Sequence, residues 1–281
     1  MKRPLFPYAV LLLLVVATSA IFGLRTLLAA TGDPPRLADL FTAIVLAGSL
    51  VVLFRSHHTL QRLDWAIGIG LGGVVGLTML PATLFTPYPF FGVINDNLGQ
   101  AVVRGVGTAL AALGGLAILR RGGPVAISAA NGQWGKSGRS IALGLAVGAP
   151  LAVLNLYALR LTQSRELAWQ SPLAALLDAL QPALVEEVVY RFALWGLLWL
   201  ILRGSLAGRA AWAAGGLALL IHNFAHFDDL FVQNPLLALG MGLVMALLWG
   251  LPPTLLALRR DLESAVAFHW IQDAARFLAG F

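Results

Sequence analysis

Residues 183–202 read ALVEEVVYRFALWGLLWLIL. Apart from Glu186, Glu187 and Arg191, every side chain in this run is apolar or aromatic. About 20 such residues in a helix cross the hydrocarbon core of a bilayer. A helix of this kind belongs in lipid, yet two adjacent carboxylates and a guanidinium are among the costliest groups to bury there. The run therefore predicts a membrane helix and at the same time marks residues that need partners.

The rest of the chain has the same character. Of 281 residues, 59% are hydrophobic and 11% charged, and the mean hydropathy is +0.82. A soluble domain carries about 25% charged residues. The predicted fold is an all-α, polytopic transmembrane bundle of about eight to nine helices. Apolar runs fall at about 5–30, 38–54, 65–86, 98–119, 141–159, 173–202, 210–227 and 235–258, with a further helix at 262–280 that crosses only partly. The first run begins with basic residues, like a signal peptide, but is long enough to span and is taken as a retained helix. The polar stretch 121–140 divides an N-terminal group of helices (1–120) from a C-terminal region (141–281). No internal repeat is evident.

The formal charge of +6 follows from topology. With the N-terminus inside, twelve basic residues lie in inner segments (Lys2, Arg3, Arg55, Arg62, Arg120, Arg121, Lys136, Arg139, Arg203, Arg209, Arg259, Arg260). Four lie outside (Arg25, Arg36, Arg160, Arg165), the asymmetry of the positive-inside rule. No basic tract interleaves with aromatics, which argues against a nucleic-acid partner. The absence of cysteine excludes disulfides and thiolate chemistry. Some polar residues have ordinary explanations. His57 and His58 sit in a short solvated loop, and Arg104 is placed to snorkel toward a headgroup. Trp65, Trp134, Trp169 and Trp212 lie in loops or near span ends. The glycine-rich run GIGLGGVVG at 68–76 suits close helix packing and lacks the strand and Lys-Ser/Thr of a phosphate loop.

Three clusters lack such explanations. Glu187 and Arg191 are i and i+4 and can pair on one helical face, while Glu186 points about 100° away and is left for another partner. Pro182, one turn earlier, can kink the helix. In LLIHNFAHFDD, His222 and His226 share a face, with Asn223 adjacent and Asp228 and Asp229 beyond; two imidazoles could furnish half a zinc shell, although no His-Glu-x-x-His signature is present. In AFHWIQDAARF, Asp273 lies one turn from His269 and can fix its tautomer, and Gln272 adds a donor and an acceptor. Buried polar groups must converge to be satisfied, so a Glu/His site inside the bundle, moving a proton between Glu186 and water, is expected.

The order Glu-Glu-x-x-x-Arg, then x-x-x-His, then His-x-x-x-Asn/Asp resembles that of the CAAX-processing and bacteriocin-processing (CPBP) intramembrane endopeptidases, which include the Ras-converting CAAX endopeptidase and the Abi proteins. The residues that carry it are Glu186 to Arg191, His226, and His269 to Asp273, and it covers about 173–280. The resemblance implies a metal-independent glutamate protease without a cofactor, acting on a membrane-associated or prenylated-type peptide or protein. Glu186 would activate water assisted by His226, and His269 with Asp273 would bind the attacked carbonyl and oxyanion. Glu187 and Arg191 would be the adjacent pair that fixes the helix. One departure stands out: His222 occupies the position where the family usually has Phe, which keeps a metal site at His222 and His226 open. It also motivates the alternative of a non-catalytic membrane interaction or immunity protein; a proton-coupled carrier is a further option. The partners implied are the lipid bilayer and a membrane-associated substrate. Short loops and a compact chain point to a bacterial inner membrane.

Overall fold

Asp178 shows how local chemistry shapes the bundle. In the computed structural model, which describes residues 8–164 and 166–281, its Oδ2 accepts hydrogen bonds from three consecutive backbone amides, Thr83 at 2.9 Å, Leu84 at 2.6 Å and Phe85 at 3.2 Å. Those amides belong to an irregular segment, 80–96, that enters the bundle and must have its backbone satisfied. Asp39 takes the Phe91 amide at 2.9 Å, and Asn97 reaches the carbonyls of Leu80 and Ala82. The Gln100 amide donates to the carbonyls of Ile94 and Tyr88.

The described residues are all-helical, with no β-strand beyond an isolated bridge between Phe90 and Ile94. The N-terminal helices are α1 (Ala9–Ala29), α2 (Leu37–Ser56), α3 (Arg62–Met79) and α4 (Asn97–Leu119). A connection anchored on Asp261 leads to α5 (Trp134–Gln163): Oδ2 of Asp261 accepts from the Ser128 and Ser140 hydroxyls. Next come α6 (Pro172–Asp178) and α7 (Leu180–Glu186), a π-helical stretch (Glu187–Leu194) and α8 (Trp195–Leu206). They are followed by α9 (Ala210–Ala225), α10 (Asp228–Gln233), α11 (Pro235–Met245), a π-helical stretch (Ala246–Gly250), α12 (Leu251–Arg259) and α13 (Leu262–Leu278).

The single-residue break at Ala179 follows from Pro182. Proline has no N–H, so the Asp178 carbonyl loses its helical partner four residues on, and the helix is interrupted there. The distortion expected from Pro182 is this one-residue interruption, which makes α6 a short helix separate from the segment carrying Glu186. The π-helical stretch after Glu186 widens the backbone by a residue per turn, a distortion often found at functional sites.

Among the described residues, five helical stretches are long and apolar enough to cross a membrane: Ala9–Ala29, Leu37–Thr59, Asn97–Leu119, Trp134–Gln163 and Pro235–Arg259. The segments that carry the Glu and His clusters are not among them. At 16 and 17 residues, α9 and α13 are shorter, and α6 to α8 are interrupted. Their buried faces meet protein, so they need less apolar length.

Small residues set the helix spacing. The glycine run 68–76 packs α3 against α4, as expected: a Cβ on Gly72 would meet the Gly105 carbonyl oxygen at 2.4 Å. Likewise Gly144 and Gly148 bring α5 onto α13, where a Cβ on Gly144 would lie 2.1 Å from the Ser264 carbonyl oxygen. One core cluster joins both halves of the chain, with Phe41, Leu116, Val188, Trp195 and Ile221 all buried.

Several expectations shift in detail. Trp134 is the first residue of α5 and so lies at a span end, as expected, but α5 starts early enough to make the polar break shorter than 121–140. Arg25 lies inside α1 and is buried against Asp228, at 3.4 Å, and Asp229, at 2.9 Å. Asp228 also accepts from the Leu37 amide at 3.1 Å, which ties the end of α1 and the start of α2 to the start of α10. Lys2, Arg3 and Arg165, used in the topology count, lie outside the described residues.

Candidate functional site

Glu186 closes α7, His222 and His226 lie at the end of α9, and His269 is in the middle of α13. The packing of α7, the π-helical stretch, α9 and α13 brings these groups to one point. The Glu186 Oε2 atom lies 2.8 Å from His222 Nε2, 3.7 Å from His226 Nε2 and 3.7 Å from His269 Nε2. Three imidazoles from two helices thus surround one carboxylate oxygen. The other oxygen, Oε1, makes no hydrogen bond to a described residue, and the side chain is 25% exposed.

Glu187 points away from Glu186, as helical spacing requires. Its Oε1 accepts from Arg191 Nη1 and lies 2.8 Å from His269 Nδ1. Arg191 is held further by the Thr254 hydroxyl and the Gly250 carbonyl, both at 3.2 Å. The Gly250 carbonyl belongs to the π-helical stretch before Pro252 and Pro253. Glu187, Arg191 and Thr254 form a buried ionic lock in which each charge has a partner, the condition for burying them without a large loss.

His269 contacts a carboxylate from each nitrogen: Nδ1 meets Glu187, and Nε2 lies 3.3 Å from Asp273 Oδ2. The second contact is poorly aligned, and Asp273 Oδ2 is left without a hydrogen bond. Asp273 Oδ1 pairs with Arg276 at 3.0 Å. The Gln272 amide donates to the Gly148 carbonyl at 2.7 Å, so it fixes α13 on α5 instead of joining the carboxylates.

The structure therefore brings together the six candidate residues, Glu186, Glu187, Arg191, His226, His269 and Asp273, with His222, the candidate for the metal alternative, among them. Of the α9 pair, His222 is the nearer to Glu186 and is stacked on the Tyr190 ring, with centroids 4.5 Å apart at 14°. His226 is 43% exposed and reaches into open space. Asp228 and Asp229 are turned away and bind Arg25.

These groups line a cavity of about 460 Å³, the size of a small-ligand or peptide pocket. Helices α2 and α4 and the 80–96 segment also contribute, through Asp39, Thr42, Tyr88 and Arg104. The expectation that Arg104 snorkels to a headgroup is corrected: its guanidinium turns inward to Gln100 and Tyr88. Asp39 and Tyr190 were likewise not singled out. An i+4 relation, Gln100 to Arg104, was the one sequence signal that could have flagged Arg104.

The arrangement can accept a proton at Glu186 and donate hydrogen bonds from several imidazoles into one water-accessible space. Glu186, His222 and His226 could also hold a metal ion, since one ligand atom from each lies within 4.8 Å of the others. No protein-family model, curated protein or solved structure matches the chain.

Proposed function

We propose that the chain is an intramembrane endopeptidase in which Glu186 activates water for attack on a peptide bond of a membrane-associated substrate. The observation that supports this is the ring of His222, His226 and His269 around Glu186 Oε2, with Oε1 left open to the cavity. His222 donates to Oε2 and holds the carboxylate; Oε1 takes the proton of a water lying toward His226. General-base help of this kind contributes about 10²- to 10⁴-fold. As an imidazolium that gives its Nδ1–H to Glu187, His269 also carries an Nε2–H, which Asp273 serves poorly and which can turn to the attacked carbonyl oxygen. A preorganised donor at a developing oxyanion contributes roughly 3 kcal/mol. Glu187 and Arg191 hold His269 and the π-helical backbone in register. The proton on Glu186 then passes to the leaving amine, and no covalent intermediate is needed.

The chain in this reading is a bundle of eight to nine transmembrane helices in a bacterial inner membrane. With the N-terminus inside, the cavity residues at the start of α2, the ends of α9 and α13 and the 80–96 segment all lie toward the outer face. Substrate enters from that side or laterally from lipid. The direct test is cleavage of a membrane-embedded peptide library by the purified chain, with Glu186→Gln and His226→Ala as folded controls. Undiminished cleavage by both variants would sink the mechanism.

The convergence of Glu186, His222 and His226 favours one second reading, a zinc-dependent hydrolase with a His₂Glu ligand set. His222 Nδ1 is buried without a hydrogen-bond partner, whereas metal-bound imidazoles usually donate from their second nitrogen. The metal-free reading is therefore preferred. Elemental analysis of protein purified without chelators separates the two.

A further inference from the structure

Arg104 differs from every other guanidinium in the interior of the described residues. Arg25 pairs with Asp228 and Asp229, Arg120 with Asp64, Arg191 with Glu187 and Arg276 with Asp273. Arg104 has no carboxylate in ion-pair contact among the described residues. Its Nε donates to Gln100 Oε1 at 2.6 Å and its Nη2 to the Tyr88 carbonyl at 3.1 Å, both neutral acceptors. Its Nη1 makes no hydrogen bond to a described residue.

The side chain sits two turns into α4, one of the helices long and apolar enough to cross a membrane. An unpaired cation at such a place is costly and is rarely kept without a use. Gln100 and Tyr88 grip the guanidinium from behind, which fixes its plane and leaves one edge for the cavity. That cavity is the one Glu186 opens into. The charged groups lining it besides Arg104 are Arg36 and Asp39, Glu186 with the Glu187–Arg191 pair, and the Asp273–Arg276 pair. Asp39 lies beyond ion-pair distance and is engaged by the Phe91 amide. Arg36 lies over the Tyr88 ring at 3.6 Å. Arg276 Nε is a buried donor without a hydrogen-bond partner. Arg36 is paired with Asp229 at 3.6 Å and Arg276 with Asp273 at 3.0 Å, so Arg104 is the lining guanidinium left without an ion pair among the described residues, and its planar fork suits a two-oxygen anion.

We propose that Arg104 binds an anionic oxyacid group, a carboxylate or a phosphate, on the molecule that occupies the cavity beside Glu186. The proposal rests on the cavity being a substrate chamber, and it makes the substrate of that chamber an anionic one. The source of the anion is either the free C-terminus of a peptide or the phosphate of a lipid.

The test uses the full chain in lipid nanodiscs and reads binding, not turnover. The Glu186→Gln variant is titrated with an apolar acetylated pentapeptide as its free C-terminal acid and as its C-terminal amide. The acid is expected to bind at least tenfold more tightly, and the added change Arg104→Gln to bring the two within twofold. Where the peptides do not differ, thermal midpoints in phosphatidylglycerol and phosphatidylcholine discs identify the lipid source: phosphatidylglycerol then stabilises the wild type but not Arg104→Gln. If neither the acid nor phosphatidylglycerol distinguishes Arg104→Gln from the parent, the proposal is overturned. Should Arg104→Gln fail to assemble, Arg104→Lys replaces it, with a reduced preference expected and an unchanged one overturning the proposal. An acid preference that persists while Glu186→Gln cleaves at the wild-type rate would leave the subsite standing and remove the peptidase mechanism.

Discussion

His222 occupies the nearest place to Glu186, and its removal separates the two chemistries the site allows. His222→Phe takes away one hydrogen bond to a carboxylate, an effect of about 1.5–3 kcal/mol at most. Cleavage is expected to fall about tenfold and to persist in the absence of zinc. If His222 were a metal ligand, the same change would abolish both activity and bound metal. At the neighbouring pair, Arg191→Leu leaves Glu187 buried beside His269 with its principal countercharge gone. Breaking a buried pair in this way costs about 3–5 kcal/mol, so the thermal midpoint should drop sharply, and a second change, Glu187→Leu, should recover part of the loss. The division of labour between Glu186 and Glu187 was legible from the i and i+4 spacing with Arg191. The role of Arg104 was not, because one sequence cannot show which side of α4 faces a cavity and which faces lipid.

At the scale of elements, a single carboxylate holds the 80–96 segment. Asp178→Ala would orphan the amides of Thr83, Leu84 and Phe85, each worth about 1–3 kcal/mol when buried and unsatisfied. Hydrogen exchange at those amides should quicken by more than tenfold, while α13 stays protected. Equal protection of the segment in the variant would mean that Asp178 is not its anchor. Gly72→Val forces a Cβ against the Gly105 carbonyl and should separate α3 from α4, lowering the thermal midpoint. The helix-packing use of the glycine run could be read directly, because no competing signature was present. The break after Asp178 was half legible: Pro182 announced a distortion, but its position depends on which carbonyl loses its partner. The anchoring by Asp39 and Asp178 had no local signal at all, since their partners are backbone amides far away in sequence.

For the whole molecule, composition established the all-helical class, and the order of the three clusters indicated that α7, α9 and α13 should meet. What composition could not supply was the number of true crossings. The helices that form the site are shorter than the long apolar ones around them or are interrupted, because they are solvated by protein. Topology can be tested cleanly because the chain has no cysteine. Single substitutions Gly32→Cys and Ala168→Cys should react with an impermeant maleimide from outside intact cells, and His58→Cys and Gln133→Cys only after permeabilisation. The opposite pattern would invert the bundle and place the cavity toward the cytoplasm. The central claim is that Glu186 is the base of a hydrolytic site. The most direct measurement is the single-turnover cleavage rate of a membrane-embedded peptide by wild-type chain and by Glu186→Gln of matched thermal stability. A loss of about 10³-fold is expected from the removal of a general base; a rate within twofold of wild type would contradict it.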